Sequence, residues 1–462
     1  MTVLNAVAVP HPPLIFPEVG KGKEQEIQHT IDAYRKAMRF LADGKPDTIV
    51  IISPHMRWYS NYFHVESASV IKDKFVQFGA PQVEMTATAD DEFVNALDKL
   101  CRAHNFPAGI LGEQEHNIDH GSFIPMRFLS EVMADYKVVR IAISGLSVLH
   151  HYLLGHIINE VSAKLGRKTA IIASGDLSHR LLAEGPYGFT KEGPEFDKQI
   201  TEVLDKADFL QMMQMEPELC EAAGECGYRP FVIMGGAFDA RDVKSELLSY
   251  EGPFGVGYGV ATFAAKGDNS KRNFKEQYVS WHQQKLAEQR AAEDEYVRLA
   301  RKCVETYVLS GRPAILPADL PAEMLQNRAG AFVSMKIHKQ LRGCIGTIAP
   351  VYENIAEEIA HNAISACSRD PRFVPVRPEE LENITYSVDI LNPAEPIASE
   401  EELDVKKYGV IVECADGRRG LLLPDIEGVD TVEQQVAIAR QKGNIAPHEK
   451  VQLYRFEVVR HY

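Results

Sequence analysis

Seven cysteines in 462 residues, at 101, 220, 226, 303, 344, 367 and 414, form no Cys-x-x-Cys pair and are odd in number. They are too few and too scattered for a disulfide framework or a structural zinc site, and they read as reduced thiols. No apolar run approaches the ~20 residues that a membrane span needs. Met1-Thr-Val-Leu-Asn-Ala lacks the basic and apolar regions of a secretory signal, so a cytoplasmic chain is expected. Positive charge is also short: 50 Lys and Arg stand against 65 Asp and Glu, a net charge of -15 with no local basic patch. Phosphate backbones and anionic lipid surfaces are repelled by that balance, which excludes nucleic acid and membrane as expected partners. The glycine-rich stretch Gly252-Pro-Phe-Gly-Val-Gly-Tyr-Gly-Val260 has neither the Lys-Ser/Thr of a phosphate loop nor a following helix. It reads as the last strand of a first domain, with glycines where backbones approach closely.

What is present is the composition of a folded chain, 45% hydrophobic and 25% charged, in a length that at ~150 residues per domain makes two or three domains. Val3 to Val9 is apolar and runs into Pro10-His11-Pro12-Pro13, where a locked φ and a missing donor must stop a strand. Glu24 to Leu41 carries apolar residues near helical spacing (Ile27, Ile31, Tyr34, Met38, Leu41) and predicts an amphipathic crossover helix. Asp47 to Ser53 is a second apolar run, ending at Pro54-His55. Val138 to Ser144 and Ala170 to Ser174 follow, separated by a helical stretch at Leu149 to Leu165. This alternation predicts an α/β domain with a mostly parallel sheet covered by helices and its strand ends along one edge.

Ligands of open α/β sheets sit outside those carboxyl ends. The run Ala170-Ile-Ile-Ala-Ser-Gly-Asp-Leu-Ser-His179 breaks off in small residues and delivers Asp176, Ser178 and His179 there. His11, His55, the cluster His116 to His120 and the pair Glu225-Cys226 also fall at strand or loop ends, off regular apolar faces. Imidazole with carboxylate suits divalent iron, manganese or zinc, and two histidines plus one carboxylate on one face leave positions open for substrate. A histidine with an ordinary pKa of about 6.5 also suits proton transfer. Any one of these histidines is more often structural, but their repeated placement after strands points to a site.

Pro10-His11-Pro12-Pro13, Ser53-Pro54-His55, Asp119-His120-Gly121-Ser122 and Ser174-Gly175-Asp176-Leu177-Ser178-His179, in this order, resemble the motifs of the class III extradiol ring-cleavage dioxygenases and of their relatives the Memo proteins, over residues 1 to about 265. The resemblance implies His11 and His55 as iron ligands, Glu225 or Cys226 as the third ligand, His179 as the acid/base residue, and His120, with His116 nearby, on the substrate side. Two departures stand out. Asp176 occupies a position where the dioxygenases usually have glycine; it adds a carboxylate beside the metal, or caps a helix over Leu177-Ser178-His179. Cys226-Gly227-Tyr228-Arg229-Pro230 resembles the Memo version. Glu225 is the favoured ligand because a carboxylate completes a ferrous facial set, whereas a thiolate suits copper(I) or zinc.

Ala264 to Arg290 turns polar and then helical, placing a linker at 266–285 between a domain at 1–265 and another at 286–462. In the second domain, Gly330 to His338 alternates as a strand, Leu341 to Thr347 follows, helical spacing returns at Ile355, Ile359 and Ala363, and Thr431 with Gln434 forms a capping box before Val432 to Gln441. This predicts an α+β domain. Leu341-Arg-Gly-Cys-Ile-Gly346, with Ser368-Arg-Asp-Pro-Arg-Phe373 and Tyr386-Ser-Val-Asp-Ile-Leu391, resembles the AMMECR family. Cys344 beside Arg342 is expected to be an exposed thiol with a lowered pKa, lining a substrate cleft, with His338 or His361 as a base brought close by folding; the alternative is a tight turn packed on Arg369-Asp370.

The resemblance implies a non-haem ferrous-iron oxidoreductase acting on a catechol-like aromatic substrate. The fused architecture resembles a prokaryotic system that includes a radical S-adenosylmethionine protein, which implies a second reading: a metal-binding component of a multi-protein modification system, holding iron, copper or zinc without dioxygenase activity. Expected partners are therefore a small aromatic substrate, the radical protein under the second reading, and, as an option, further copies of the chain in a homo-oligomer.

Overall fold

The structure is a computed structural model describing residues 3–67, 70–114, 117–337, 340–426 and 428–462. Two compact units divide between His282 and Gln283.

In the first unit eight strands form one sheet in the order Val70–Phe75, Ala80–Ala89, Lys137–Ala142, Thr48–Ser53, Thr169–Ser174, Val3–Val9, Tyr258–Asp268, Arg241–Glu251. The inner five, from Ala80–Ala89 to Val3–Val9, pair in parallel, and antiparallel strands close both edges. The parallel strands are buried on both faces, which is why they read as unbroken apolar runs rather than as alternation. Val50, Ile52, Ile171 and Ala173 face one layer with the helices Asp91–Ala103 and Val148–Leu165; Ile49, Ile51, Ala170 and Ile172 face the other with Gln28–Asp43. Helix Gln28–Asp43 buries Ile31, Tyr34, Ala37, Met38 and Leu41, the stripe read from the sequence. The expected final strand begins only at Tyr258. The glycines before it form a turn in which Gly255 has φ +82°, and Gly257 exchanges backbone hydrogen bonds with Leu177 and Ser178.

Residues 266–285, expected as a linker that turns helical, contain the division between the units. The strand continues to Asp268 and a helix spans Phe274–Ala292, so the division between units falls inside that helix. The second unit is antiparallel. One sheet runs Gln340–Gly346, Gly330–Ile337, Ile384–Leu391, Val458–His461, and a second runs Glu395–Ile397, Val451–Phe456, Gly409–Cys414, Arg419–Leu422. Helices Glu295–Ser310 and Ile355–Ser368 share a core with the first sheet; Val432–Lys442, started by the Thr431/Gln434 capping box, packs on the second. The molecule is thus an α/β unit followed by an α+β unit. Among the described residues no helix is long and apolar enough to cross a membrane.

Candidate metal centre

Three ends of the first unit's chain segments converge. Strand Val3–Val9 stops before Pro10, and His11 is fully buried behind it. The His11 amide donates to Asp176 Oδ1 at 2.7 Å, and its Nδ1 meets Ser174 Oγ at 2.9 Å. Ser174 ends its own strand as the register partner of Val9, so strand pairing itself carries the hydroxyl to the ring. With Nδ1 engaged, Nε2 is the edge left for a ligand. That Nε2 lies 2.9 Å from His55 Nε2 and 3.5 Å from Cys226 Sγ. The ligand atoms of His11, His55 and Cys226 all lie within 4.8 Å of one another; His11 is buried, Cys226 partly so, and His55 exposed, which leaves the cluster open on the His55 side.

Cys226 arrives from the opposite wall. Its amide and that of Gly227 donate to the Asp176 carbonyl at 3.3 and 2.9 Å, and the Asp176 amide donates to Cys226 Sγ at 3.2 Å. A side chain at Gly175 would place its Cβ 2.1 Å from Gly227 Cα, so the two loops meet only as glycines. No helix starts at Asp176, which corrects the capping alternative. Its carboxyl instead anchors the His11 backbone, and burial pushes it up to about 6. Glu225, favoured from the sequence as the third ligand, is engaged elsewhere. Its Oε2 accepts the Tyr228 amide at 2.6 Å where the helix Tyr228–Gly236 begins, and burial raises it to about 7. Cys226, not Glu225, joins the two histidines.

His120 opens the helix His120–Leu129, whose cap is Asp119, and its ring stacks on His55 at 4.1 Å and meets His11 edge-on at 5.1 Å. Burial lowers its pKa to about 3, with His11 and His55 adding to the effect. The His179 amide donates to the Ala223 carbonyl, its ring stacks on exposed Tyr187 at 5.1 Å, and its Nε2 is buried without a hydrogen-bond partner among the described residues. Burial lowers the His179 pKa while Asp176 raises it. His116 lies outside the described residues, as does His338.

Arg342 and Cys344 belong to the second unit and make separate sets of hydrogen bonds. Arg342 forks onto Glu380 at 2.7 and 3.1 Å and onto the Val374 carbonyl at 3.0 Å. Cys344 takes a hydrogen bond from Ser334 Oγ at 3.1 Å and donates its amide to Asp370 at 2.9 Å; the guanidinium on its backbone is Arg372, at 2.9 Å from its carbonyl. Burial pushes the Cys344 thiol up, against the lowered value expected from the sequence. His361 stacks on Tyr352 at 3.9 Å. Ser53, Ser174 and Asp119 stand in the sequence motifs but receive no role of their own there, and Arg140 is not singled out. The repeated serine at the end of a strand was the available signal for two of them.

The donor set suits a metal. Two neutral imidazoles with Nε2 atoms 2.9 Å apart need a shared proton or cation between them. Burial and then His55 hold the His11 pKa well below its ordinary value, so its imidazole is in the neutral form that ligates a metal. Two imidazoles and a thiol are ligands for zinc, copper or iron.

Residues 297–461 match the AMMECR1 family, and residues 5–261 match the family described as the catalytic LigB subunit of aromatic ring-opening dioxygenase. Protein CA_C1420 of Clostridium acetobutylicum is 39% identical over 476 aligned residues, covering 100% of this chain and 99% of that one. A Thermotoga maritima protein is 51% identical over 171 residues, 37% of this chain and 98% of its own. The crystal structure of Uncharacterized Protein PH0010 from Pyrococcus horikoshii shares 32% identity at a TM-score of 0.34, over 36% of this chain and 88% of that chain. The chain belongs to the LigB family of aromatic ring-opening dioxygenase subunits, in a form that carries an AMMECR1 domain behind the LigB domain.

Proposed function

We infer that the first unit is a metal-dependent oxidoreductase domain in which His11, His55 and Cys226 hold one divalent ion and a small catechol-like substrate reacts beside it. The observation that carries this reading is the convergence of the three ligand atoms within 4.8 Å, with the far edge of His11 fixed by Ser174. A bound ion supplies Lewis acidity there and, if it is iron or copper, redox chemistry. The chain's own residues do the rest. His179 Nε2, which has no hydrogen-bond partner among the described residues, is available to hold or move a substrate proton. Asp176 keeps His11 in place through the backbone and adds a titratable carboxyl beside it. Tyr187, exposed and stacked on His179, offers a flat apolar face to an aromatic ring.

One observation favours the second reading, a metal-binding component of a modification system with a radical S-adenosylmethionine partner. The third donor is a thiol where ferrous oxygen-activating sites typically have a carboxylate. The two are separated by loading the protein anaerobically with ferrous iron and following oxygen uptake with simple and amino-substituted catechols. Turnover is expected, and His179→Ala should keep the metal while losing roughly 10²- to 10⁴-fold in rate. Metal bound without oxygen uptake selects the second reading. Metal analysis should show one ion per chain, lost in His11→Ala and Cys226→Ser and kept in Glu225→Gln. Unchanged stoichiometry in the first two variants would remove the site altogether.

A further inference from the structure

Arg140 is an unexpected residue in its place. It lies on the parallel strand Lys137–Ala142, third of the eight in the sheet, is 2% exposed, and brings a permanent positive charge into the sheet. A buried guanidinium is tolerated when it is paired and hydrogen-bonded. Its Nη2 lies 3.0 Å from Asp119 Oδ2, an ion pair in which both side chains are almost wholly enclosed. Burial alone would raise the Asp119 carboxyl; Arg140, Ser53 and Ser122 outweigh it and hold that carboxyl below its ordinary value, so Asp119 is a fixed anion.

That anion is bonded toward the cluster on two sides. Asp119 Oδ1 accepts the Ser53 hydroxyl at 2.5 Å, and Ser53 Oγ in turn accepts the His55 amide at 3.2 Å. Asp119 also caps the helix that His120 opens, accepting the Ser122 amide at 2.9 Å and the Ser122 hydroxyl at 2.7 Å. The His120 ring stacks on that of His55 at 4.1 Å. Gly121 keeps the approach tight, since a Cβ there would lie 2.5 Å from Ser53 Oγ. The same anion therefore sets the backbone of His55 through Ser53 and the ring packed on His55 through the helix start. Neither Arg140 nor Asp119 offers an atom to the ligand cluster.

We propose that the buried Arg140–Asp119 pair is the positioning device for the metal centre, setting the backbone of His55 through Ser53 and its ring through His120. This rests on the reading that His11, His55 and Cys226 hold a metal. Groups that orient ligands without touching the metal commonly alter affinity 10- to 100-fold when removed, which gives the scale of the expected effect.

The test uses cobalt(II) as probe on the full-length protein, because its visible spectrum reports ligand geometry as well as binding. Arg140→Gln and Ser53→Ala are each expected to weaken cobalt binding about 10- to 100-fold and to alter the d–d bands, with Arg140→Lys recovering part of the affinity. Ser53→Ala removes one hydroxyl and keeps the strand packing, so it decides the matter if Arg140→Gln does not fold. Leu97→Ala, in the core on the other face of the sheet, serves as the control for general destabilisation and should leave cobalt affinity and spectrum unchanged. Wild-type affinity and spectrum in Ser53→Ala, or an equal loss in Leu97→Ala, overturns the positioning role. Failure of the unsubstituted chain to bind cobalt overturns the metal reading, and the positioning role with it.

Discussion

Asp197 shows how much one buried carboxyl can be asked to hold. Its Oδ1 accepts the Ser178 amide at 2.7 Å and its Oδ2 the Tyr250 hydroxyl at 2.7 Å, so it fixes the loop that delivers His179. It is almost fully buried, and burial pushes it up to about 7. The unfolded chain releases this proton near pH 3.9, so the folded state binds it more tightly over the interval between. The resulting stabilisation is complete below about pH 4 and is lost as pH rises to about 7. Asp197→Asn keeps an acceptor for Ser178 and removes the titration. Relative to the unsubstituted protein it should therefore gain stability between these limits, on the order of 4 kcal/mol if the whole shift is expressed. Asp176, also raised, titrates in both proteins and cancels in the difference, whereas Glu225, which the Asp197 charge helps to raise, is relieved of that repulsion and adds to the gain in the same direction. Urea unfolding at a series of pH values measures it, and a difference that does not change with pH would contradict the assignment. At Cys344 the expectation has reversed with the structure. Since burial raises the thiol, labelling of the folded protein at pH 7.5 should be at least about 10-fold slower than that of the unfolded chain, and rapid labelling would restore a reactive thiolate. Single residues were legible where chemistry and chain punctuation coincide, as in Pro-His after a strand. Arg140 was not, nor was its pairing with the Asp119 of the histidine motif, because an ion pair separated by 21 positions leaves no local pattern.

At the scale of elements, the site depends on loops that meet closely rather than on the strands alone. The loop after Thr169–Ser174 is held by Gly257 on one side, through reciprocal bonds of 2.8 Å to Leu177 and Ser178, and by Ala223 on the other. Gly175 faces Gly227 with no room for a methyl group. Gly175→Ala must push the loop bearing Cys226 away, and such overpacking costs about 1 to 3 kcal/mol. It should also reduce metal affinity, because Cys226 is the neighbour of Gly227. Denaturant titration and metal binding on the same variant check both, and a stable variant with full affinity would mean that the two loops move independently. The four parallel strand ends were legible because strands buried on both faces are unbroken apolar runs ending in Pro or Gly. The edges were not. Arg241–Glu251 is rich in charge and mostly half-exposed, and Ala80–Ala89 alternates, burying Val83, Met85, Ala87 and Ala89 among polar residues. Neither follows the period that the central strands display.

At the scale of the whole molecule, each unit has its own apolar core: the two layers on the faces of the eight-stranded sheet in the first, and the clusters around Val297–Val304 and Val410–Val412 in the second. Units of this kind, about 280 and 180 residues long by the division at His282, are large enough to fold separately. A break between helix Phe274–Ala292 and Asp294, the cap of helix Glu295–Ser310, leaves both helices whole. A cut there loses the Arg290–Glu305 ion pair at 3.1 Å, and an exposed pair contributes only about 0 to 1 kcal/mol. Residues 1–292 should then fold cooperatively and bind one metal ion with an affinity within about 3-fold of the full chain, a difference of less than 1 kcal/mol. Every atom of the proposed centre, and the Arg140–Asp119 pair behind it, lies in that fragment. Residues 293–462 should fold without metal, since their sheets close on apolar clusters and their cysteines include two fully enclosed thiols, Cys303 and Cys367. Calorimetric metal titration of both fragments is the measurement. Loss of binding in a folded 1–292 fragment would show that the AMMECR1 domain contributes to the centre, and the three-residue ligand set would then be incomplete.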